Sequence, residues 1–171
     1  MKNLIFALSI ALLHLSSIAE PDKWSYGKTN DNKSHWAGVL NDSGSAFMQR
    51  CTTSDGNCVW FIALSTLCEE KATFPMLVSS DEGAANILVL CGGAVIADGK
   101  PIYQYYFKEF DQIDKVVRGT SGPIGFAMSL QSGQFKVVRF EMTNAVKAVD
   151  SMRLLAEQET SKKKRTKDQV L

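Results

Sequence analysis

The chain has few histidines, and the two that it has are His14 and His35. Only His35 lies beyond the first 19 residues, so a Ser–His–Asp or Cys–His catalytic device in that part of the chain would have to use it. His35 stands beside Trp36 in a polar stretch, and no serine elbow motif accompanies it. We therefore expect a solvated loop histidine without a catalytic role. The same scarcity disfavours a histidine-rich metal site.

Motifs for metals, redox chemistry and nucleotides are also missing. The four cysteines are spaced C-x6-C-x9-C-x22-C, which contains neither a C-x-x-C pair nor the short spacers of zinc sites. Gly92-Gly93 lacks the Lys-Ser/Thr pair of a phosphate-binding P-loop. The sequence therefore predicts no cofactor and no bound metal ion.

The N-terminus has the layout of a secretory signal peptide. Lys2 precedes a run from Leu4 to Leu13 that is apolar except for Ser9, and small residues follow at positions 17 and 19. The run is roughly half the length of about 20 apolar residues that a membrane-spanning helix needs. We therefore expect removal of residues 1–19 and export to the periplasm or the extracellular space.

Export predicts the role of the cysteines. An even number of cysteines in an exported chain indicates disulfides, and four cysteines allow three pairings. We favour Cys51–Cys58, which would close a hairpin around a turn-forming Ser-Asp-Gly-Asn sequence, together with Cys68–Cys91. The second pair encloses the longer loop and should contribute more to stability, on the order of 3 kcal/mol.

The charges divide the chain into a domain and a tail. Residues 20–160 hold 13 basic and 17 acidic side chains, whereas residues 161–171 hold five basic side chains and one acid. The domain thus offers no basic surface for nucleic acid. The basic residues of the tail are Lys162, Lys163, Lys164, Arg165 and Lys167. We expect a flexible, solvated tail, and contact with an anionic membrane surface is the alternative.

Strand signals are dense through the middle of the chain. The predicted strands are residues 45–53, 58–67, 74–78, 86–91, 94–96, 102–107, 125–130 and 134–142. Pro75 suggests that the strand 74–78 lies at an edge of the sheet. Gly92-Gly93 is expected to end the strand 86–91. Residues 20–41 are polar, with a loop at 30–33, and the aromatic side chains Trp24, Tyr26 and Trp36 are expected to pin this arm to the core.

Two segments show helical spacing. Residues 110–118 predict about two turns, and a longer helix with apolar positions from Ala145 to Ala156 follows Thr143, the expected N-cap. Because the strands arrive in hairpin order, we predict a mainly β fold, with α+β as the alternative. Its architecture would be an antiparallel sandwich or small barrel with the C-terminal helix packed on it and two disulfides.

Acidic pairs are the remaining candidates for chemistry. Glu69-Glu70 and Asp81-Glu82 could perform acid–base work, but both lie in predicted turns, where acids are common for solubility. The sequence therefore predicts no catalytic residue.

An aromatic strand is the best candidate for a contact surface. Tyr103, Tyr105 and Phe107 alternate with Gln104 and Tyr106, so one set must face the core. We predict Tyr103, Gln104, Tyr105 and Tyr106 as partner-contact residues, with Gln104 and Tyr106 presented opposite to Tyr105. A strand covered on both faces is the alternative.

The end of the domain resembles a known family. The sequence from Gly125 to Asp150, GFAMSLQSGQFKVVRFEMTNAVKAVD, is similar to the close of the invasion-associated locus B proteins, which end in a strand, a short capped turn and an alanine-bearing helix. The cysteines, clustered from Cys51 to Cys91, depart from that family's pattern. The resemblance implies a β-rich periplasmic or surface protein linked to host interaction, and it assigns no site residue.

These observations favour a non-enzymatic, exported binding or interaction protein, associated with a host or with the cell envelope. Its expected partner is a protein or an envelope component. The alternatives are an inhibitor of a secreted hydrolase, acting through residues 79–84, and a periplasmic hydrolase that uses carboxylates.

Overall fold

The computed structural model describes residues 23–130 and 132–167. Their strands are β1 (Ser25–Lys28), β2 (Ser34–Leu40), β3 (Ala46–Thr52), β4 (Cys58–Leu64), β5 (Thr73–Ser80), β6 (Gly83–Ala97), β7 (Lys100–Phe107), β8 (Ile124–Ser129) and β9 (Phe135–Phe140). The helices are α1 (Phe110–Gly119) and α2 (Ala145–Lys167). The predicted signal peptide, residues 1–19, lies outside the described residues.

All nine strands belong to one antiparallel sheet in the order β1-β2-β3-β4-β7-β6-β5-β8-β9. The sheet coils so that distant strands face each other across the core. Phe47 of β3 stacks on Trp60 at 5.0 Å between ring centroids, and it also meets Phe126 of β8 at 4.9 Å and Phe140 of β9 at 5.8 Å. This buried aromatic cluster holds the two halves of the sheet together through the hydrophobic effect and edge-to-face contacts.

Helix α2 covers the inner face at the β1–β3 end of the sheet. Its buried residues recur at three- and four-residue spacing, so one stripe of the helix faces the core. They are Ala145, Ala148, Val149, Met152, Ala156 and Thr160. Helix α1 contributes Ile113 and Val117 to the same core. Within the described residues, neither helix combines the length and the apolar character needed to cross a membrane.

The predicted fold class is confirmed: the protein is mainly β and antiparallel, with a C-terminal helix packed on the sheet. Both predicted disulfides, Cys51–Cys58 and Cys68–Cys91, are present. Cys51 and Cys58 are opposite each other in the β3–β4 ladder, as the hairpin prediction requires. The strands form one continuous sheet rather than the two separate sheets of a sandwich.

The predicted polar arm is in fact two strands. β1 and β2 pair with each other, and β2 also pairs with β3. The prediction missed them because polar residues fill the turn and the outward positions, while Ala37 and Val39 point inward beneath α2. Trp24 does pin the start, because its indole N–H donates to the carbonyl of Glu141 at 2.7 Å and its ring is buried.

Two predictions about strand boundaries are wrong. Gly92-Gly93 does not end a strand, because β6 continues through it with a shift of register between Cys91 and Ala94. Strand β5 is not an edge, since it lies between β6 and β8. Pro75 is tolerated there because the pairing of β5 with β8 spans only Leu77–Ser79.

The C-terminal helix differs from its prediction at both ends. Asn144, at φ 67°, occupies the N-cap position in place of Thr143, because its carbonyl accepts the bond from the Ala148 N–H. The helix also continues to Lys167, so residues 161–167 of the predicted tail are helical. Amphipathic spacing ends near Thr160, and the helix continues because lysine has high helix propensity; residues 161–163 are exposed.

Candidate functional site

A cleft of about 560 Å³ opens at one end of the curved sheet. The loop between β4 and β5 forms one wall, and the β8–β9 hairpin forms the other. The lining residues are Thr66, Leu67, Cys68, Glu69, Ala72, Phe74, Tyr105, Met128, Ser129, Leu130 and Ser132. Its volume falls within the range of about 300–1,000 Å³ that is typical of small-molecule sites.

The floor of the cleft is apolar and closely packed. Phe74 meets Tyr105 edge to face at 5.7 Å, and Met128 is 3% exposed. The Tyr105 hydroxyl donates to the carbonyl of Thr66 at 2.7 Å. Burial raises the pKa of Tyr105 to about 12, so its hydroxyl is neutral at physiological pH. The floor can therefore hold an apolar group but supplies no charge.

The Cys68–Cys91 disulfide fixes the wall opposite the hairpin. It joins the β4–β5 loop to β6, and backbone bonds from Lys71 N–H to the Cys91 carbonyl and from Cys91 N–H to the Ala72 carbonyl reinforce it. Leu67, on the same loop, is 74% exposed at the rim. A leucine held out into solvent beside a cleft offers apolar surface to a ligand.

Among the described residues that line the cleft, Glu69 is the one with a charged side chain. The predicted Glu69-Glu70 pair is therefore divided, because Glu70 is not among them and instead lies close to Gly93. Asp81, of the second predicted acidic pair, is not among the residues that line the cleft. Its carboxylate accepts bonds from Ser121 Oγ at 2.6 Å and from the N–H groups of Ser121 and Gly122. These bonds, that of the Ser121 hydroxyl first, hold the pKa of Asp81 below its usual value.

The structure divides the predicted contact residues between the two faces of β7. Tyr103 and Tyr105 face the core, and Tyr105 lines the cleft. Tyr106 and Gln104 lie on the outer face, where the Tyr106 hydroxyl donates to Gln104 Oε1 at 2.6 Å. The Tyr106 ring lies against Gly92, where a Cβ atom would come within 2.1 Å of it.

The outer face around Tyr106 forms a second, smaller apolar cluster. Phe61 packs against Tyr106 at 5.5 Å between ring centroids, and the guanidinium of Arg50 stands 5.7 Å over the Phe61 ring. Arg50 also approaches the Tyr106 hydroxyl at 3.5 Å. Tyr106 and Gln104 are thus half-buried in a surface of aromatic and arginine side chains, the composition that is enriched at protein interfaces.

His35 differs from its prediction. It lies in β2 rather than in a loop, is 7% exposed and points toward α2, where its Nε2 is 2.9 Å from Glu159 Oε2. The alternation of β2 puts His35 on the same face as Ala37, which explains its burial. Glu159 also binds Lys28 at 2.8 Å, and the bonds from Lys28 and His35 lower the pKa of Glu159 to about 2.

A second charged cluster joins both helices to the sheet. The Asp114 carboxylate accepts bonds from Trp60 Nε1 at 3.1 Å, from Arg118 and from Arg153, which also donates to Gln49 at 2.7 Å. Burial opposes ionisation of Asp114, but the bonds from Arg153 and Arg118 outweigh it and hold its pKa below the usual value. Both oxygens of the Asp114 carboxylate therefore accept hydrogen bonds, and they tie the two helices to β4.

The predicted anionic-surface residues lie on the last turns of α2. Lys163 Nζ donates to Thr53 Oγ1 at 2.8 Å and is 3.6 Å from Glu159, so it is tied to the domain. The side chains of Lys164, Arg165 and Lys167 lie outside the described part of the structure. No group of three or more metal-ligating side chains occurs within residues 23–130 and 132–167.

Comparison with protein families, curated proteins and solved structures finds no match to this chain. The resemblance to the invasion-associated locus B proteins therefore stays a prediction. The cleft itself was not predicted, because its walls come from a loop and a hairpin that are more than 50 residues apart and meet only in the coiled sheet. The sequence feature that pointed to this region was Cys68, because its predicted disulfide with Cys91 would hold the β4–β5 loop in place.

Proposed function

We propose that this protein is an exported, non-enzymatic binding protein and that the cleft between the β4–β5 loop and the β8–β9 hairpin is its ligand site. The cleft is the observation on which this proposal depends. It combines an apolar floor, an exposed leucine at the rim and a disulfide-fixed wall. Rigid apolar cavities with a few polar groups at the mouth are typical of binding sites.

The two disulfides support export. Both are intact cross-links, and no free cysteine occurs in the part of the chain that the structure describes. Such bonds are consistent with an oxidising compartment such as the periplasm or the extracellular space. We also propose that the exported protein associates with the cell envelope or with a host.

The chemistry of the cleft supports binding over catalysis. In the part of the lining that the structure describes, Glu69 is the one charged residue, and the Tyr105 hydroxyl is neutral and already bonded to Thr66. Acid–base hydrolysis by carboxylates generally uses two of them in one site. We therefore infer a ligand with a compact apolar body, from a small molecule or a partner's side chain, and with a neutral or positive group near Glu69.

The test uses the neutral apolar dye Nile red with the full exported protein. Ala72→Trp should fill the cleft and weaken dye binding by about tenfold or more, because the added indole occupies the space of the ligand. Ala84→Trp is the matched control, since Ala84 is exposed at the start of β6, away from the cleft. Equal dye affinity in both variants would refute the cleft as the binding site.

The remaining alternatives stay predictions. The proposed inhibitory segment, residues 79–84, forms the β5–β6 turn, which Asp81 ties to Ser121. Contact of the basic tail with anionic membranes is tested by deletion of residues 161–171, which should lower binding to vesicles containing phosphatidylglycerol. Unchanged vesicle binding after this deletion would remove that alternative.

A further inference from the structure

Strand β9 ends the sheet, and within residues 23–130 and 132–167 no further strand pairs with its outer edge. The N–H of Leu130 donates to the carbonyl of Gln134, which sets the phase of the β8–β9 ladder. Because pairing alternates along an antiparallel strand, the backbone groups of residues 136, 138 and 140 point to β8, and those of 135, 137, 139 and 141 point outward.

Side chains from the other end of the sheet confirm this phase. Asn41 Nδ2 donates to the Arg139 carbonyl at 3.0 Å, and Trp24 Nε1 donates to the Glu141 carbonyl at 2.7 Å. These bonds close the second half of the edge. Within residues 23–130 and 132–167, the outward N–H and C=O groups of Phe135 and Val137 have no strand beside them.

The open half of the edge is also apolar. Phe135 is 71% exposed and Val137 is 49% exposed, and both side chains lie on the outer face of the sheet. A groove of about 380 Å³ runs along β9, with Asn41, Asp42 and Ser43 on its opposite side. An unpaired edge with exposed apolar residues is the geometry that adds a further strand from another chain.

Lys136 selects between two possible occupants. In a dimer that pairs Phe135 with Val137 across a twofold axis, Lys136 would stand directly opposite Lys136 of the second copy. Like charges in directly opposite positions destabilise a ladder, whereas opposite charges stabilise it. A partner strand with an acidic residue opposite Lys136 is therefore favoured over a second copy of this chain.

We propose that the Phe135–Val137 edge of β9 binds an extended segment of a partner protein by strand addition, and that this segment has an acidic residue between two apolar residues. The backbone bonds give affinity, the apolar residues pack on Phe135 and Val137, and the acid pairs with Lys136. This site is separate from the cleft and does not depend on it.

The test is a titration of the full exported protein with a capped peptide, acetyl-Thr-Val-Glu-Val-Thr-amide. The affinity is measured from the changes in the NMR chemical shifts of the protein. Val137→Pro removes the outward N–H while leaving the β8 ladder in place, since residue 137 does not donate to β8. We expect a loss of at least tenfold in affinity. Val137→Ala is the matched control, because it trims the side chain but keeps the N–H, and its loss should be smaller.

Reversal of charge tests the predicted sequence preference without relying on proline. Lys136→Glu should bind the corresponding peptide with lysine at the centre better than the peptide with glutamate, by at least threefold. Circular dichroism and thermal melting check that each variant is folded.

Three results would overturn the proposal. One is equal peptide affinity in Val137→Pro and the unaltered protein. A second is protection of the Val137 amide from hydrogen exchange in the free protein, which would show that the chain's own N-terminal residues cover the edge. The third is a dimer that Val137→Pro converts to monomer, which would make a second copy the occupant.

Discussion

Removal of the Cys68–Cys91 bridge should cost more stability than removal of Cys51–Cys58. The first pair is separated by 23 positions and the second by 7. Loop-closure entropy then predicts losses of about 3.4 and about 2.4 kcal/mol near 25 °C, respectively. The comparison is matched, because each pair has one buried member, Cys91 or Cys51, and one half-buried member. Replacement by alanine therefore removes similar apolar contacts in both variants.

Urea unfolding of the two double-alanine variants measures the difference directly. Both should unfold in one transition, with the Cys68/Cys91 variant less stable by about 1 kcal/mol. The Cys68/Cys91 variant should also bind Nile red more weakly, because the wall of the cleft is no longer anchored. A larger loss in the Cys51/Cys58 variant, or no loss in either, would refute this reasoning.

Three further single substitutions, one of them combined with a compensating second change, test other contacts. Asp114→Asn should destabilise the protein by about 3 kcal/mol in urea, because it removes the carboxylate that balances the charge of the half-buried Arg153. A second change, Arg153→Met, should recover only part of the loss, because it removes the unbalanced charge but leaves Gln49 without its donor. Glu159→Gln should reduce the loss of folding stability that occurs when the pH falls from about 4.5 to about 2. The pKa of Glu159 in the folded protein is lowered to about 2, so the ionised carboxylate stabilises the fold fully above pH 4.5 and less as Glu159 is protonated. An unchanged pH profile would contradict it. Gly92→Ala should cost about 1–3 kcal/mol because its Cβ would overlap the Tyr106 ring, and a wild-type melting temperature would show that the ring moves freely.

Hairpin order and cysteine parity were enough to predict the fold class. The Ala97–Lys100 hairpin follows from Asp98-Gly99, which has positive φ at both positions, as a tight turn requires. The Cys51–Cys58 pairing follows from the turn between the two residues. These features are local, so they can be read from neighbouring residues.

Features that depend on distant packing could not be predicted in this way. His35 was expected in solvent, because the sequence around it is polar and its burial depends on α2, more than 100 residues later. Gly92-Gly93 was expected to break a strand, but here the missing side chain makes room for Tyr106 of β7. The cleft and the open edge of β9 likewise arise from the coiling of the sheet, which no single segment encodes.

The most direct test of the account is the intact mass of the protein recovered from the exported fraction of its native cells, measured without reduction. We expect a chain of residues 20–171 that is lighter by four hydrogens than its reduced form, as two disulfides require. An untrimmed chain with four free thiols, recovered from the cytosol, would contradict it.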